Sequence, residues 1–348
     1  MKIGNRVIDQ YSPPLIIAEM SGNHNQSLDR ALQIVDAAAN AGADAIKLQT
    51  YTADTMTLDL VEGDFFISDP SSLWSGQSMA ELYRQAYTPW EWHDPIMRHA
   101  KTRGLICFSS PFDESAVDFL EDLEVPAYKI ASFECVDLPL IRKVAATGKP
   151  LILSTGMATV EEVSEAVEAA RGAGCSDLIL LKCTSTYPAS PENSHIRSIP
   201  AMQVMFGCGV GLSDHTLGLG AAISAIALGA RVIEKHFTLS RNDGGVDAAF
   251  SLEPEELAAL VLEARRAWQA LGEVRIGPAP VEESARQRRR SLYIGKTMKR
   301  GDRLTPENLR RIRPGHGLSP KYYEELLGKV VNRDIARGTP VSWDLFED

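Results

Sequence analysis

Short apolar segments alternate with helical segments along most of this chain. The first is "LIIAEM" (Leu15–Met20), the last is "RVIEKHFTLS" (Arg231–Ser240), and amphipathic stretches such as "TVEEVSEAVEAARGAG" lie between them. The other six are "AIKLQT" (Ala45–Thr50), "LICFSSP" (Leu105–Pro111), "AYKIAS" (Ala127–Ser132), "PLILSTG" (Pro150–Gly156), "LILLKCTST" (Leu178–Thr186) and "CGVGLSDHT" (Cys208–Thr216). Strands that alternate with helices form parallel sheets, and eight such units favour a closed (β/α)8 TIM barrel. An open doubly wound sheet is the alternative, but no G-x-G-x-x-G follows the first strand.

Two stretches interrupt this alternation. The long gap from Thr50 to Leu105 predicts an extended loop with an extra helix, and long loops in compact domains are often functional. After "GPAPVEESARQRRR" (Gly277–Arg290) only short strands and turns follow. We therefore predict a barrel domain over 1–277, a linker over 278–290 and a small β-rich domain over 291–348. A domain of roughly sixty residues has a small core, so we expect it to pack on another surface.

Charge and cysteine content narrow the possible partners. The net charge is −10, but residues 286–348 hold 15 Lys and Arg against 8 Asp and Glu, net +7, which leaves −17 for the rest. The basic residues are interspersed with acids, so they favour a folded module over a nucleic-acid-binding tail. The five cysteines lack C-x-x-C spacing, which indicates reduced thiols in the cytoplasm. The sequence shows no signal segment and no membrane-spanning run.

The last apolar strand carries three ionisable residues in its middle. Glu234, Lys235 and His236 lie between Ile233 and Phe237. Isolated charges in a dry core cost about several kcal/mol each. Because side chains alternate along a strand, Glu234 and His236 share one face and Lys235 lies on the other. Either the strand opens onto a polar site, or these residues form a satisfied structural cluster.

The other strands also end in polar residues. Catalytic groups of such barrels lie at the carboxyl ends of the strands, so these side chains converge on one rim. In chain order they are Glu19, Lys47, Gln49, Ser109, Ser110, Lys129, Ser132, Ser154, Thr155, Lys182, Ser185, Tyr187, Ser213, Asp214, His215, Glu234 and His236. This convergence favours a shared site over unrelated buried charges.

The residue types on this rim indicate two kinds of ligand. Lys47, Lys129 and Lys182, with several hydroxyls, predict a cradle for a phosphate or carboxylate. His215 and His236 come from neighbouring strands and could share a divalent ion that keeps open positions for substrate and water.

Ordinary structural roles compete with these functional ones. A lone barrel lysine is often an ion-pair partner, and a lone histidine is often a hydrogen-bonded core residue. Ser109–Ser110 and Ser154–Thr155 precede helices and suit helix caps. Cys183 has no evident neighbouring base, which favours a small buried residue over a nucleophile. Only the convergence of lysines, histidines and Glu19 on one rim outweighs these interpretations.

The motifs on this rim resemble the sialic acid synthase family. The resemblance rests on "IIAEMSGNHNQSLDRALQIVDAAANAGADAIKLQTYTADTMTLD", "YKIASFE", "LSTGMAT", "CTSTYPA", "GLSDHT", "IEKHFTL" and "GGVDAAFSLEP", and it covers essentially the whole chain. The tail "RRIRPGHGLSP…GKVVNRDIARGTPVSWD" is similar to the family's antifreeze-protein-like SAF domain, a β-clip. "AEMSGNHNQS" and "KLQT" resemble the pseudaminate branch, whereas the neuraminate and legionaminate branches more usually read "AGVNHNG" and "KFQT".

The resemblance implies a carbon–carbon bond-forming transferase. Phosphoenolpyruvate would condense with an open-chain acetamido sugar, for the pseudaminate branch 2,4-diacetamido-2,4,6-trideoxy-altrose, and phosphate would leave by C–O cleavage. His215 and His236 would hold Mn²⁺, Mg²⁺ or Co²⁺, and Glu19 would act as general acid or base. The residues implied around phosphoenolpyruvate are Lys47, Lys129, Ser132, Ser154, Ser185, Tyr187 and Ser213. Those implied around the sugar are Gln49, Tyr187, Asp247 and Arg313.

The resemblance also implies an assembly. Arg313 matches a catalytic arginine that the tail domain of one subunit contributes to its neighbour's barrel, which implies a domain-swapped homodimer. Gln26 and Ser185 depart from the neuraminate pattern, which usually has glycine and asparagine there, so we expect these two positions to reshape the sugar pocket.

Three other functions remain open from sequence. A neuraminate or legionaminate synthase would use the same chemistry on a manno sugar. A Schiff-base aldolase would use Lys129 or Lys182 without metal or phosphoenolpyruvate. A carbohydrate-binding or ice-binding role would rest on the tail alone, and the polar rim of the barrel argues against it.

Overall fold

The computed structural model describes residues 1–346, which form two compact units. The first unit is Met1–Gly272, and the second begins at Glu273. The division lies before residue 277, where the barrel is predicted to end, so the predicted linker over 278–290 lies within the second unit. None of the helices in residues 1–346 has the length and apolar content that a membrane crossing needs.

Eight parallel strands close into a barrel in the first unit. A short antiparallel hairpin, β1 (Lys2–Ile3) and β2 (Arg6–Val7), precedes them. The barrel strands are β3 (Leu15–Glu19), β4 (Ala45–Thr50), β5 (Ile106–Pro111), β6 (Tyr128–Ile130), β7 (Leu151–Ser154), β8 (Leu178–Cys183), β9 (Gly209–Ser213) and β10 (Val232–His236). Each strand pairs with the next along the chain, and β10 pairs with β3 to close the ring. The predicted (β/α)8 barrel is therefore confirmed, and the open doubly wound sheet is excluded.

Helices follow the strands and cover the barrel from outside. They are α1 (Leu28–Ala41), α2 (Ala53–Met56), α3 (Met79–Ala86), α4 (His93–Thr102), α5 (Glu114–Asp122), α6 (Leu138–Ala146), α7 (Val160–Gly172), α8 (Ser198–Phe206), α9 (Gly220–Ala227) and α10 (Pro254–Leu271). Helix α1 shows why these segments are helical. Ser27 caps its first turn by accepting from the Arg30 N–H, and Gly42 ends it at φ 86°, which glycine adopts readily. The predicted long gap contains α2 and α3 before α4 begins.

The barrel interior has an apolar lower layer. Leu15, Ile17, Phe108, Ile152 and Val232 belong to one buried cluster there. Two residues of the amino-terminal segment, Ile3 and Ile8, belong to the same cluster and are 0% and 3% exposed. The hairpin segment therefore seals the amino-terminal end of the barrel. Because side chains alternate along each strand, the next inward positions belong to the polar residues at the carboxyl end.

The second unit is a small domain with a core of its own. Its elements are α11 (Glu283–Arg286), β11 (Ser291–Ile294), β12 (Leu309–Ile312) and α12 (Tyr323–Leu326), and β11 pairs with β12 in antiparallel fashion. Leu292, Ile294, Leu309 and Val331 are at most 1% exposed in its apolar cluster. The small β-rich domain expected from the tail sequence is thus present.

Candidate active site

Two lysines and two glutamates form a charged cluster inside the carboxyl end of the barrel. Lys47 Nζ lies 2.6 Å from Glu19 Oε2 and 4.0 Å from Glu234 Oε1. Lys129 Nζ lies 3.7 Å from the same Glu234 oxygen. Lys47 Nζ also donates to Ser110 Oγ at 3.0 Å. All four charged side chains are at most 6% exposed, so their charges act through a medium of low dielectric.

Burial and neighbouring charges separate the pKa values of the two carboxyls. Burial raises the pKa of Glu19, and the nearby Glu234 carboxylate raises it further, while Lys47 opposes both. Burial also raises the pKa of Glu234, but the ammonium groups of Lys129 and Lys47 outweigh it and bring that pKa below the ordinary value. Glu234 therefore stays ionised, whereas Glu19 is the carboxyl that exchanges a proton. Pairs with separated pKa values are typical of acid–base sites.

The last barrel strand, β10, carries charged side chains on both faces of the barrel wall. Glu234 points inward to the cluster, while Lys235 Nζ lies on the outer face, 2.9 Å from Asp214 Oδ2 and 2.6 Å from the Thr216 carbonyl oxygen. The strand thus combines a polar site on one face with a satisfied ion pair on the other. Both interpretations of "IEKHF" hold, each for a different face.

The serines at the ends of β6, β7 and β8 come together as a small hydroxyl cradle. Ser132 Oγ accepts from the Gly156 N–H at 3.1 Å. A Cβ at Gly156 would lie 2.2 Å from Ser185 Oγ and 2.8 Å from Ser132 Oγ, so only glycine leaves these hydroxyls room. Ser154 Oγ is buried without a hydrogen-bond partner among the described residues. An unpartnered buried hydroxyl beside two others indicates a place for a polar ligand.

The capping roles considered for the strand-end serines are wrong. The helices begin later than those roles require, because Asp113 caps α5 and Thr159 caps α7. Ser110 instead accepts from Lys47, and Ser109 bonds the Thr50 hydroxyl at 2.6 Å.

Two histidines at the ends of β9 and β10 face each other. The ring centroids of His215 and His236 are 5.3 Å apart, and Tyr187 and Phe250 pack against both rings. His215 Nδ1 lies 2.9 Å from the Thr184 carbonyl oxygen, which fixes a proton on Nδ1 and makes Nε2 the nitrogen that a metal ion could bind. His236 Nδ1 is buried and has no hydrogen-bond partner among residues 1–346.

This pair fits a divalent metal ion, although the set of protein ligands is small. Within residues 1–346 no group of three or more His, Cys, Asp or Glu is arranged to hold a metal. Burial lowers the pKa of His236 well below its ordinary value, so its ring is neutral, as a ligand must be. A two-histidine site would leave the remaining positions for substrate and water.

Three of the four sugar positions implied by the resemblance, Gln49, Tyr187 and Asp247, lie beside these groups. Gln49 Nε2 donates to Glu19 Oε1 at 3.0 Å. Asp247 Oδ2 lies 3.9 Å from His236 Nδ1 and accepts from Ser21 Oγ. Ser213 Oγ donates to Glu234 Oε1 at 3.3 Å. Arg313 is exposed and belongs to the second unit.

One lysine of the predicted cradle lies elsewhere. Lys182 shares the outward face of β8 with Leu180, while Leu181 points into the barrel with the lower apolar layer. Its Nζ donates to the Cys183 carbonyl oxygen at 2.8 Å. The expected convergence of three lysines is therefore wrong, and two converge. Cys183, for which sequence suggested no neighbouring base, has its Sγ 3.9 Å from His215 Nδ1.

Sequence reasoning did not assign three residues that the structure brings to this site. They are Ser21, Glu134 and Phe250. Burial raises the pKa of Glu134 to about 7, and Lys129 and Lys47 act on its charge. Glu134 stands in the motif "YKIASFE", so its position after a strand end was the available signal. Ser21 and Phe250 reach the site through contacts between segments that are distant in sequence, so no local sequence signal identified them.

Comparison with known proteins identifies the family to which this chain belongs. The NeuB family model matches residues 34–275, and the SAF domain model matches residues 289–347. The chain is 45% identical over 350 aligned residues to a pseudaminic acid synthase of Campylobacter jejuni, covering 100% of both chains. It is 43% identical to a pseudaminic acid synthase of Helicobacter pylori, covering 96% of this chain and 98% of the relative.

A solved structure agrees with both matches. The N-acetylneuraminic acid synthetase of Leptospira borgpetersenii superposes with a TM-score of 0.73 at 30% identity, covering 82% of this chain and 94% of that one. The resemblance indicated by the motifs is confirmed. Because the family model matches residues 34–275 and the synthase relatives match this chain over nearly the full length of both proteins, this chain belongs to the NeuB family.

Proposed function

We propose that this chain is a pseudaminic acid synthase. It condenses phosphoenolpyruvate with 2,4-diacetamido-2,4,6-trideoxy-altrose and releases pseudaminate and phosphate. The observation that carries this proposal is the full-length identity of 45% to the Campylobacter jejuni pseudaminic acid synthase. A legionaminate-type substrate is less well supported, because the N,N'-diacetyllegionaminic acid synthase of the same organism is 34% identical.

Phosphoenolpyruvate binds in the charged cluster and the hydroxyl cradle. The ammonium groups of Lys47 and Lys129 attract its carboxylate and phosphate, since both carry negative charge. Ser132, Ser154 and Ser185 offer hydroxyls to the same oxygens, and the unpartnered Ser154 Oγ supports this assignment. Ser213 and Tyr187 complete the set of residues proposed around this substrate.

The condensation forms one carbon–carbon bond and breaks one carbon–oxygen bond. C3 of phosphoenolpyruvate attacks the aldehyde carbon of the open-chain sugar, and the aldehyde oxygen takes up a proton. Water then adds to C2 and loses a proton. The tetrahedral centre then collapses to a ketone as the C2–O bond breaks, and phosphate leaves with the oxygen that had joined it to C2. Glu19 handles a proton in these steps, because its raised pKa lets it accept and donate near neutral pH.

A divalent ion, Mn²⁺ or alternatively Mg²⁺ or Co²⁺, is part of the proposal. His215 and His236 would hold it, and as a Lewis acid it would polarise the aldehyde oxygen. The neutral His236 ring and the fixed proton on His215 Nδ1 support the assignment.

The sugar is proposed to lie against Gln49, Tyr187 and Asp247. Arg313 of a second copy completes this site in a domain-swapped homodimer, because the tail carries the positive charge that an acidic barrel attracts. We also place the enzyme in the cytoplasm, since all five cysteines are unpaired.

Phosphate release from phosphoenolpyruvate tests the proposal. The metal-replenished protein is assayed with N-acetylmannosamine, 2,4-diacetamido-2,4,6-trideoxymannose and the 2,4-diacetamido altrose in parallel. We expect turnover with the altrose alone and its loss with chelator. Preference for a manno sugar would overturn the pseudaminate assignment, and no release with any sugar would overturn the substrate class.

A further inference from the structure

Ser21 adopts a backbone conformation that most non-glycine residues avoid. It begins the short turn Ser21–His24 that follows β3, and its φ is 47°, in the left-handed region. A non-glycine residue there is strained, because its Cβ crowds the neighbouring carbonyl oxygen. Ser21 is also buried, with 3% exposure. A buried serine at a position whose backbone conformation favours glycine indicates that the serine side chain makes a required interaction.

The Ser21 side chain reaches a residue far away in sequence. Its hydroxyl donates a hydrogen bond to Asp247 Oδ2, across 226 positions of sequence. The same carboxylate oxygen lies 3.9 Å from His236 Nδ1. Ser21 thus holds the Asp247 carboxylate at the edge of the histidine pair, where the sugar is proposed to bind.

The segments around these two residues are fastened independently of the hydroxyl. Asn23 Nδ2 donates to the Phe237 carbonyl oxygen and to Ser251 Oγ, both at 2.9 Å. Ser251 Oγ in turn donates to the backbone carbonyl of Asp247 at 2.7 Å. The backbone of Asp247 is therefore placed by Asn23 and Ser251. The Ser21 hydroxyl, together with the backbone N–H of Gly22, acts on the direction of the carboxylate itself.

Gly22 lets the two loops approach closely enough for this contact. A Cβ at Gly22 would lie 2.4 Å from Val246 Cγ2 and 3.1 Å from the Ala86 Cα. Val246 directly precedes Asp247, so a larger residue at position 22 would push the carboxylate away from Ser21. Both residues of "Ser-Gly" at positions 21 and 22 therefore serve this contact: Gly22 allows the close approach and Ser21 supplies the hydroxyl.

We propose that Ser21 is a positioning residue for the acetamido sugar. By holding one oxygen of Asp247, it aims the other at a hydroxyl or amide N–H of that substrate. The inference rests on the proposed function. It assigns Ser21 an effect on sugar affinity and none on phosphoenolpyruvate, whose proposed ligands lie on other strands.

Two substitutions separate the hydroxyl from the backbone. Ser21→Ala removes the hydroxyl and keeps the Cβ, whereas Ser21→Gly removes both and suits φ 47°. We expect both to raise the KM for the sugar by about tenfold or more, the range for a lost hydrogen bond to a charged group. We expect the KM for phosphoenolpyruvate to stay within about twofold, which is less than 0.5 kcal/mol.

A double-mutant cycle with Asp247→Ala tests whether the effect runs through the carboxylate, because alanine offers no acceptor to the Ser21 hydroxyl. If it does, Ser21→Ala changes the sugar KM far less in the Asp247→Ala background than in the wild type. Ser115→Ala is the matched control, because Ser115 also donates to a carboxylate, that of Asp113, on the exposed surface. It should leave both KM values unchanged.

The outcomes separate this inference from the proposed function. No turnover by the wild type with any of the three sugars overturns the proposed function and this role with it. Wild-type turnover together with an unchanged sugar KM in Ser21→Ala overturns the role of Ser21 alone. That role is also overturned if Ser21→Ala and Asp247→Ala are additive, or if only Ser21→Ala and not Ser21→Gly has an effect.

Discussion

Lys47 Nζ lies 2.6 Å from Glu19 Oε2, and both side chains are at most 3% exposed. With Glu234 and Lys129 nearby, the cluster contains two carboxyls and two ammonium groups before any substrate arrives. Phosphoenolpyruvate, which we propose to bind here, would bring further negative charge into this buried space. Protonation of one carboxyl relieves the repulsion, and Glu19 is the carboxyl whose pKa is raised.

Removing the charge of Glu19 should disable catalysis without unfolding the protein. Glu19→Gln keeps the shape but cannot exchange a proton, so we expect kcat to fall by about 10²–10⁴-fold. Phosphate release under saturating substrates measures this. Glu121→Gln is the control, because Glu121 also pairs with a lysine at 2.6 Å, on the outside of the barrel. A kcat for Glu19→Gln close to that of Glu121→Gln would contradict the acid–base role.

Phosphoenolpyruvate affinity should fall as the pH rises through neutrality. Burial raises the pKa of Glu19 to about 7. Below this pKa Glu19 is neutral and the cluster is more positive, and above it the carboxylate repels the incoming anion. Calorimetric binding between pH 6 and 8.5 should show this dependence in the wild type and a weaker one in Glu19→Gln. The substrate's own titration cancels in that comparison, so equal profiles would refute the assignment.

Both histidines should be needed to retain a metal ion. We expect His215→Ala and His236→Ala to lose bound Mn²⁺ on dialysis, because each removes one of two protein ligands. Metal content per chain measures this without recourse to activity. His99→Ala is the control, since His99 pairs with Asp36 at 2.8 Å away from the site. Retention of Mn²⁺ by both site variants would place the metal elsewhere.

The buried ion pair of Lys235 and Asp214, on the outer face of the barrel wall, should stabilise the fold. Lys235→Met leaves the buried Asp214 carboxylate unpaired, which should lower the free energy of unfolding by about 3–5 kcal/mol. Adding Asp214→Asn should recover part of the loss, because the amide carries no charge. Denaturant unfolding measures both variants. Lys143→Met is the control, and loss of its exposed pair with Asp118 should cost about 1 kcal/mol or less.

Subunit mixing tests the proposed exchange of Arg313. Arg313→Ala and His236→Ala should each be inactive alone. If the arginine acts on a second copy's barrel, a mixed dimer contains one intact site, and random mixing should restore about a quarter of wild-type activity. Activity that stays absent after unfolding and refolding the two variants together would argue that Arg313 serves its own chain or none.

The barrel and most of its polar rim were predictable, because period-two alternation and strand ends are local signals. The side of the barrel wall on which Lys182 lies was not predictable, because "LILLKC" is apolar on both faces of the strand and a one-residue shift in register exchanges these faces. Helix starts at Asp113 and Thr159 were missed because several hydroxyls compete for each cap. The contact between Ser21 and Asp247 joins segments 226 positions apart, and no local pattern carries such information.

The hairpin segment at the start of the chain closes one end of the barrel with Ile3 and Ile8. Ligands therefore have one mouth through which to enter and leave. Phosphoenolpyruvate is proposed to lie against strand residues such as Lys129, while the sugar lies against Asp247 in a loop beyond the strand ends. On these proposed positions phosphoenolpyruvate lies deeper than the sugar, and we therefore expect it to bind first and the sugar to cover it.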